Sequence, residues 1–513
     1  MLREEIKKTI EKTVKTLYRE EAEVRIERPQ DPVLGDYSSN VAMVLKKNPQ
    51  EIADALKGPA IFEKIEAKNG FVNFFVSKDY LQKQVGKILG EGKKFGRLEI
   101  GKGQKVNVEF ISANPTGPLT VGNSRGGIIG DVLSNVLDRA GWKVTREYYF
   151  NDAGGQIDVL GHSVLQDELA EYKGDYIDEL HNEFGGKGDA REMGKKAAKI
   201  LIEEIKKTTK KIGIKFDVWT AEGRDLREKG KVKKIISWIK KEGLSYEEEG
   251  ALWFKSTQFG DDKDRVLIKS DGQPTYFAVD CAYHKNKLVE RKFAKAIDIW
   301  GADHHGDIPR IKGFVKALGQ ENKLDILIHQ FVRIVKDGQE VRMSKRAGNY
   351  ITIEDLLSEV GLDITRFFFL TKSPSTHLNF DLGLAKEKSD KNPVYYVQYA
   401  HARICSILKK AGVKYKIQNV KYQLLNHASE LALLKELIRF PEVIEDTAKD
   451  YQVQRLPQYA AELATAFHRF YRDCRVITDD KELSRARLSL VLASKIVLKN
   501  TLDLMGVSAP EKM

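Results

Sequence analysis

Cysteine is scarce in this sequence. Three of the 513 residues are cysteine, Cys281, Cys405 and Cys474, and they lie far apart. This number and spacing provide no basis for a disulfide framework or for a zinc site. We expect each cysteine to be a small buried apolar residue, and we predict no metal site built from protein side chains.

Long apolar runs are also missing. No stretch approaches the roughly 18 apolar residues that a membrane span requires, so we expect no membrane partner. The first residues, MLREEIKKTIEK, have the pattern of a charged amphipathic helix rather than of a signal peptide. We therefore expect a cytoplasmic protein. No segment has the pattern of a coiled coil or dimerisation helix, and we expect a monomer.

The charge balance leaves the class of partner open. The chain has 86 Lys and Arg against 74 Asp and Glu, a formal net charge of +12 spread along the sequence. Such an excess suits a polyanion such as a nucleic acid, and it also fits plain solubility. With 42% hydrophobic residues over 513 positions, we expect a globular chain of two to four domains.

The segment from Lys105 to Asp131 combines three patterns. Lys105 to Ile111 alternates as a strand does, and Ser112 to Gly122 is a loop of small and breaker residues. A helix follows, with Asn123 as the candidate N-cap. Its apolar residues are Ile128, Ile129, Val132, Leu133, Val136 and Leu137. A helix N-terminus after such a loop binds anions, and phosphate is the expected ligand.

This segment alone leaves an alternative open, because an ordinary βα unit of a parallel sheet would look the same. The loop does not match GxxxxGK[ST], so a P-loop is excluded. A second segment, VRMSKRAGNY, favours the phosphate site. Its Arg342, Lys345 and Arg346 describe a cationic loop suited to meeting charge on a phosphate chain, although such a loop by itself is usually solvated surface.

Together the two segments resemble the paired signatures of the class I aminoacyl-tRNA synthetases. PLTVGN stands where that family has its HIGH sequence, and RMSKR where it has KMSKS. Other words are similar to the arginyl-tRNA synthetases specifically: SANPTGP, REYYFNDAGGQ, WGADHHG, NPVYYVQYAHARICSIL and NTLDLMGVSAPEKM. The resemblance extends from about Val24 to Met513 and is therefore much stronger than either signature alone.

The pattern of elements predicts three parts. Residues 1–95 form a small α+β unit, and residues 96–382 alternate strands and helices as in a doubly wound, Rossmann-like α/β fold with a parallel sheet. In that part, strands are predicted in WKVTREYYF, AKAIDIW and KLDILIHQFVRIV. A lysine- and glutamate-rich helical insertion is predicted at about 173–250. Residues 383–513 form an all-α helical bundle. The resemblance implies that these parts contact the outer corner of a tRNA, catalyse the reaction and bind the anticodon, respectively.

The resemblance implies an arginine–tRNA ligase. Such an enzyme activates L-arginine with ATP and Mg²⁺ to arginyl-adenylate plus pyrophosphate, then transfers arginine to the 3′ end of its arginine tRNA for translation. The first step is an in-line displacement at the α-phosphate, which needs alignment and positive charge rather than a protein nucleophile.

The sequence departs from the family at both signatures. Thr120 and Asn123 replace the two HIGH histidines, which in the family hydrogen-bond ATP, and neither replacement can carry a positive charge. Arg342 replaces the first lysine of KMSKS, whereas Lys345 keeps the second. We expect these four residues to act in catalysis. The residues that we predict to bind ATP are Pro118, Thr120, Gly122, Asn123, Asp303, Met343, Ser344 and Lys345.

A guanidinium is best met by carboxylates, and the family's arginine-binding residues match positions here. Glu109 ends the first strand and Asn114 follows it, while Tyr276 and Asp280 are four residues apart and share a helix face. With His304 of WGADHHG, these are the predicted arginine-binding residues. The simpler alternatives are a surface position on an edge strand for Glu109 and a helix-surface salt bridge for Asp280.

Three residues are predicted to contact tRNA. Phe71 and Asn73 lie two apart, on one face of a strand, and could stack on and hydrogen-bond a flipped-out base. The alternative is that Phe71 packs in the core and Asn73 lies in a turn. Tyr396 lies between Tyr395 and Tyr399 in a helical pattern, where base stacking competes with core packing.

Two other functions stay open. The first is a synthetase for another amino acid, although the carboxylates argue against an apolar substrate and the scarcity of cysteine argues against cysteine. The second is a catalytically silent tRNA-binding paralogue, suggested by Thr120 and Asn123. The retained Lys345 argues against it, because a decayed enzyme would be expected to lose its cationic loop as well.

Overall fold

The computed structural model describes residues 1–56, 58, 60–340, 351–412 and 420–513. Its first part packs helices on an antiparallel three-stranded sheet of order β1-β3-β2. The elements are α1 (Leu2–Tyr18), β1 (Tyr37–Ser39), α2 (Val41–Leu45), α3 (Pro49–Ala55), β2 (Phe62–Lys68), β3 (Phe71–Val76) and α4 (Lys78–Glu91).

The middle of the chain is built on a parallel five-stranded sheet. Its elements are β4 (Lys105–Glu109), α5 (Val121–Arg139), β5 (Lys143–Phe150), α6 (Gly155–Leu165), α7 (Asp175–Phe184), α8 (Ala190–Lys211), β6 (Val218–Ala221), α9 (Lys231–Lys241), β7 (Ser245–Glu248), β8 (Ala251–Phe254), β9 (Arg265–Ile268), α10 (Tyr276–Lys285), β10 (Lys295–Gly301), α11 (Ile308–Ala317), β11 (Leu324–His329), β12 (Val332–Lys336), β13 (Gln339–Glu340), α12 (Ile353–Val360), α13 (Leu362–Phe369), β14 (Leu378–Asp381) and α14 (Leu382–Lys386).

The strand order β11-β10-β4-β5-β6, with every neighbouring pair parallel, confirms the doubly wound fold. The chain runs outward from β4 in both directions, so strand order reverses between β4 and β10. Ligands in such sheets bind beyond the carboxyl ends of the strands at this reversal. Glu109 and Gly301 end these two strands and mark that edge.

Two predicted elements differ from the structure. The segment predicted as a helical insertion, 173–250, also contains two strands: β6, which pairs with β5 of the central sheet, and β7. Trp219 of β6 stacks on Tyr148 of β5 with ring centroids 4.5 Å apart. The strand predicted in KLDILIHQFVRIV is two strands. The chain leaves the central sheet after His329, and β12 joins a second small sheet of order β13-β12-β14. A third small sheet, β7-β8-β9, is antiparallel.

The last part is a helical bundle, as predicted. Its helices are α15 (Pro393–Lys410), α16 (Ala428–Asp450), α17 (Arg455–Asp473) and α18 (Lys481–Met505). Asn392 caps α15 ahead of a first-turn proline, and Gly506 ends α18 at a φ of 64°. Helix α4 contacts α16 and α18. The domain boundaries at 95 and 382 stay predictions.

Ion pairs hold the three parts together. Arg3 of α1 contacts Asp446 of α16 at 2.7 Å, and Arg28 contacts Glu442 at 3.0 Å. Arg366 of α13 is 1% exposed and donates to Asp131 of α5 and to the Met505 carbonyl of α18. Thus α5, which begins at the ligand edge, is fixed to the last helix.

The apolar face predicted for α5 is buried, and all three cysteines are buried and free. None of the described helices combines the length and apolarity needed to cross a lipid bilayer.

Candidate active site

The first turn of α5 begins at Thr120, three residues before the predicted N-cap. Thr120 Oγ1 accepts the Asn123 backbone N–H at 3.2 Å, and Asn123 Oδ1 accepts the Thr120 N–H at 3.1 Å. The Thr120 hydroxyl also donates to Asn123 Oδ1 at 2.7 Å. The prediction of Asn123 as N-cap is therefore wrong, because this pair forms a capping box in which Asn123 is the third helical residue. The two residues at the HIGH histidine positions contact each other.

The chain that follows the second signature returns to this turn. Residues 119–121 pair with residues 351–353 through two backbone hydrogen bonds of 3.1 and 3.0 Å, and Thr120 and Thr352 form an antiparallel bridge. Thr352 is itself the N-cap of α12. The predicted site residues Arg342, Met343, Ser344 and Lys345 lie outside the described residues.

The predicted phosphate site at α5 has fewer free backbone amides than the sequence indicated. The Val121 amide donates to Ile351 O, and the Asn123 amide donates to Thr120 Oγ1. Among the first three helical amides, that of Gly122 is the remaining donor within the described structure, and Pro118 lies partly exposed in the loop before it. An anion here would meet the Gly122 amide and the Asn123 Nδ2, because the Thr120 hydroxyl donates to Asn123 Oδ1.

Glu109 is not a free carboxylate. It is 5% exposed, its Oε2 contacts Lys287 Nζ, and its Oε1 accepts from Ser112 Oγ at 2.9 Å. Lys287 is fully buried and also donates to Asp298 Oδ1 at 2.7 Å. Burial lowers the pKa of Lys287, but Asp298 and Glu109 outweigh it and raise that pKa above its usual value. Lys287 is therefore charged, and a guanidinium at Glu109 would share that carboxylate with it.

Asp280 is the more available carboxylate. It lies in α10, four residues after Tyr276, whose side chain is 55% exposed and whose hydroxyl lies beside Gly154 at the start of α6. Among the described residues, the cation that pairs with it is Arg310, 3.9 Å away, and Arg310 pairs more closely with Asp307, at 3.1 Å. Although the Asp280 side chain is 32% exposed, burial of its carboxyl raises its pKa to about 7. A cationic ligand would restore the ionised form.

Asn114 joins two loops at the ligand edge. Its Oδ1 accepts the Asn151 N–H at 3.1 Å, and its Nδ2 donates to Gln156 Oε1 at 2.5 Å. The loop after β4 is thereby fixed to the end of β5 and the start of α6. This places Asn114 on the same side of the sheet as Tyr276.

Asp303 and His304 follow β10 in a short 3₁₀ helix, as expected for residues at the sheet edge. The His304 ring lies 3.4 Å from Asp303 and 3.2 Å from Asp307. Both predicted residues are exposed at the reversal of strand order, so they are available to a ligand.

Phe71 and Asn73 lie on β3, and Asn73 is 2% exposed. The Asn73 Nδ2 is buried and has no hydrogen-bond partner among the described residues. Phe71 is half-buried on the same strand face. The turn alternative for Asn73 is excluded, and the base-contact role stays a prediction.

Tyr396 packs against the hydrophobic core, whereas Tyr399 is exposed. Its ring lies 5.0 Å from that of His468, and its hydroxyl is 3.1 Å from Thr465 Oγ1. Tyr399 is 37% exposed, stacks with Tyr395 at 6.1 Å, and carries the Arg403 guanidinium 4.6 Å above its ring. Tyr396 was predicted from the sequence and Arg403 was not, although helical spacing already placed residues 395, 399 and 403 on one face.

Other contacts at the site were missed because they join distant segments. Lys287 and Asp298 meet Glu109 across the sheet, and Glu222 accepts from Tyr149 near Asp280 at 2.7 Å. Arg125, on the second turn of α5, binds carbonyls of two remote loops. Their residue types carry no local signal for these contacts.

A doubly wound sheet with a helix N-terminus at the strand reversal, paired with residues 351–353 just after the second signature, has the architecture of a class I aminoacyl-tRNA synthetase. The family described as "tRNA synthetases class I (R), catalytic domain" matches residues 84–184 and 167–368. "Arginyl tRNA synthetase N terminal domain" matches residues 1–76, and "DALR anticodon binding domain" matches residues 397–513. The chain belongs to the arginyl-tRNA synthetase family.

Its relatives agree in name and length. An arginine–tRNA ligase of Carboxydothermus hydrogenoformans is 44% identical over 96% of this chain and 95% of its own. That of Bacillus subtilis is 43% identical over 100% and 98%. The solved arginyl-tRNA synthetase of Thermus thermophilus has the same fold, with a TM-score of 0.84 at 22% identity over the whole of both chains.

Proposed function

We propose that this chain is an active arginine–tRNA ligase. It forms arginyl-adenylate and pyrophosphate from L-arginine and ATP, then transfers arginine to the 3′ end of arginine tRNA. The observation that carries the substrate assignment is Asp280, a carboxyl at the ligand edge whose nearest cation among the described residues is 3.9 Å away. The family and the names of its relatives support the reaction.

The proposed arginine pocket is built around Asp280 and Tyr276. Asp280 accepts guanidinium N–H bonds, and the exposed Tyr276 ring covers the side chain. Glu109 contributes mainly its charge, because Lys287 and Ser112 hold its oxygens. Asn114 and His304, beyond β4 and β10, are assigned to the amino-acid end of the substrate.

Activation then needs alignment and charge. The arginine carboxylate attacks the α-phosphorus, a new O–P bond forms, and the bond to pyrophosphate breaks. We assign the Gly122 amide and the Asn123 Nδ2 to the phosphate oxygens, with Thr120 holding Asn123 in place, because its hydroxyl donates to Asn123 Oδ1. Lys345 and Arg342 supply positive charge as the transition state develops. Pro118, Asp303, Met343 and Ser344 complete the proposed ATP contacts.

Mg²⁺ is proposed to enter with ATP. The described residues include no group of three His, Cys, Asp or Glu side chains arranged to hold a metal ion. That fits an ion held by phosphate oxygens and water, with at most one carboxylate such as Asp303. Bound there, it would neutralise phosphate charge.

The proposed tRNA surface uses both ends of the chain. Phe71 and Asn73 of β3 contact a base at the outer corner, and the buried Asn73 Nδ2 is a donor without a partner among the described residues. On α15, Tyr396 helps to hold the helix face that would contact tRNA, while Tyr399 and Arg403 of that face offer an exposed ring and a cation for stacking on a base. The net charge of +12 adds a sequence-independent attraction.

We further propose that the enzyme acts as a cytoplasmic monomer, since tRNA is charged there for translation and the contacts between the three parts are made within one chain. No observation favours the silent paralogue. The formed capping box at Thr120 and Asn123 argues for a retained helix N-terminus.

Charging of total tRNA with each of the twenty labelled amino acids, with and without ATP, tests the proposal. ATP-dependent incorporation of arginine alone is expected. Incorporation of another amino acid would overturn the substrate assignment, and tRNA binding in a gel without charging would instead establish the silent paralogue.

A further inference from the structure

Arg125 is a buried cation without a carboxylate. It is 0% exposed, and among the described residues its guanidinium donates to three backbone carbonyls: Gln330 O at 2.8 Å, Thr376 O at 2.9 Å and Ser373 O at 3.0 Å. The described residues include every Asp and Glu of the chain, and none of them forms an ion pair with Arg125. Its Nε has no partner among them. An unpaired buried charge is costly, so its presence calls for an explanation.

The position of Arg125 supplies one. It lies two residues after Asn123, and helical side chains incline toward the N-terminus of their helix. Gln330 immediately follows β11, so the guanidinium lies at the carboxyl edge of the sheet, where ATP is proposed to bind. Ser373 and Thr376 lie just before β14, the strand that pairs with β12 ahead of the second signature.

The surroundings keep this charge fixed. His329, at the end of β11, packs on α5 so closely that a Cβ at Gly126 would lie 2.6 Å from its Nε2. Burial, and then the charge of Arg125, lower the pKa of His329 to about 4, while the nearby Asp303 opposes this. Burial lowers the pKa of Arg125 to about 10, so it remains charged at neutral pH. Neither group titrates between pH 5.5 and 8.

We propose that Arg125 is a positioning residue that supplies, from the second turn of α5, the fixed positive charge that Thr120 and Asn123 lack. The inference rests on the proposed ATP-dependent function. The field of a fixed cation in a water-excluded site stabilises phosphate charge without contact, and it costs no reorganisation during the reaction. Arg125 also joins α5 to the two loops that border β12 and β14.

Two variants separate charge from packing. Arg125→Lys keeps the charge but loses the three-way fork, whereas Arg125→Gln loses the charge and keeps an amide donor. We expect Arg125→Gln to lower kcat for ATP–pyrophosphate exchange, measured with tRNA present, by at least about tenfold more than Arg125→Lys does. Gel shifts with tRNA and thermal unfolding serve to check that both variants are folded. Equal losses would overturn the proposal.

Arg366 provides the matched control. It is as buried as Arg125 and donates to the backbone carbonyls of Met505 and Ile212, but it is paired with Asp131. Lys and Gln replacements of Arg366 should change thermal stability without the charge-specific difference in exchange rate. A similar difference at Arg366 would show that the assay reports packing and would overturn the proposal.

A histidine provides a readout that packing cannot mimic. In the Arg125→Gln background, Asn123→His should restore exchange progressively as the pH falls from 7.5 to 5.5, because the ring becomes charged near pH ~6.5. Absence of this pH-dependent rescue would overturn the proposal. With Arg125 retained, Asn123→His should show less than about a twofold gain in exchange between pH 7.5 and 5.5, relative to its own rate at pH 7.5, since the charge of Arg125 is already present. A tenfold gain there would overturn the proposal even if Arg125→Gln proved too unstable to assay. Arginine charging by the unmodified enzyme tests the proposed function separately.

Discussion

Thr120 and Thr352, the N-cap residues of α5 and α12, lie opposite each other in an antiparallel bridge. Each caps its own helix through a capping box, with Asn123 and Asp355 as the reciprocal partners. Helix α5, which carries the first signature, and helix α12, which follows the second, therefore start at two backbone segments that pair with each other. A substitution that destabilises the first turn of one helix should therefore also destabilise the first turn of the other.

Thr120→Ala removes the acceptor of the Asn123 amide. We expect a loss of about 1 kcal/mol in the free energy of unfolding, together with a raised KM for ATP, because the first turn loses its cap. Urea denaturation and ATP–pyrophosphate exchange measure the two effects. Asp480→Ala, which removes the N-cap of α18 in the helical bundle, should lower stability similarly and leave the KM for ATP unchanged. If both variants had the same ATP KM, the cap would have no role in binding ATP.

Asp280→Asn replaces a charge-assisted contact to the substrate with a neutral one. The KM for arginine should rise by about an order of magnitude or more, with a much smaller change in the KM for ATP. Steady-state charging at saturating ATP measures this. Asp271→Asn, in the exposed turn before α10, is the matched control. A KM for arginine equal to that of the unmodified enzyme would remove Asp280 from the pocket.

The pH dependence of arginine binding follows from the same carboxyl. Burial raises the pKa of Asp280 to about 7 in the free enzyme, so the group is protonated below pH 7 and ionised above it. Guanidinium binding requires the ionised form. The KM for arginine should therefore rise as the pH falls below 7, by up to about tenfold per pH unit, and level off above pH 8. Asp280→Asn should abolish this dependence, and a flat profile in the unmodified enzyme would contradict the assignment.

Lys345→Ala tests the second signature. We expect a fall in kcat for activation of about a hundredfold or more with little change in the KM for arginine, since the lysine charge is needed most in the transition state. Rapid-quench measurement of adenylate formation checks it. Lys336→Ala, on the exposed side of β12, should be nearly silent. Unchanged turnover in Lys345→Ala would exclude Lys345 from the mechanism.

Lys287→Met leaves two buried carboxylates, Glu109 and Asp298, without their cation. The free energy of unfolding should fall by about 3–5 kcal/mol, because each carboxylate loses its compensating charge. Adding Glu109→Gln should recover part of that loss, as a double-mutant cycle in urea would show. If the double variant also regains the original KM for arginine, Glu109 has no part in binding the guanidinium group of the substrate.

The parts of the fold that depend on local periodicity were predictable. The apolar spacing from Ile128 to Leu137 located α5, and the alternation in KVNVE and WKVTREYYF located β4 and β5. Tyr276 and Asp280 fall on one face of a helix because the pair is local. The break between β11 and β12 was missed, because both strands are apolar and only tertiary pairing shows that the chain changes sheet at Gln330.

The candidate site was predictable where a motif carried it, and not where contacts cross the chain. Thr120 was identified by its motif, but its role as N-cap was assigned to Asn123, since a Thr and an Asn three residues apart can each be read as the cap. The ion pair of Glu109 with Lys287 spans 178 positions, and the Arg125 contact with Gln330 spans 205. No pattern in either neighbourhood indicates such a partner.

The contact between Arg3 and Asp446 joins residues 443 positions apart. During synthesis on the ribosome, α1 emerges long before α16 exists, so the first part of the chain must wait undocked while the sheet forms behind it. Tyr37 of the same part, which is buried and donates to Glu442 at 2.6 Å, likewise lacks its partner until α16 has been synthesised. Docking of α1 on α16 can therefore be completed only after residue 446 has been synthesised, which makes it one of the last steps in folding of the chain.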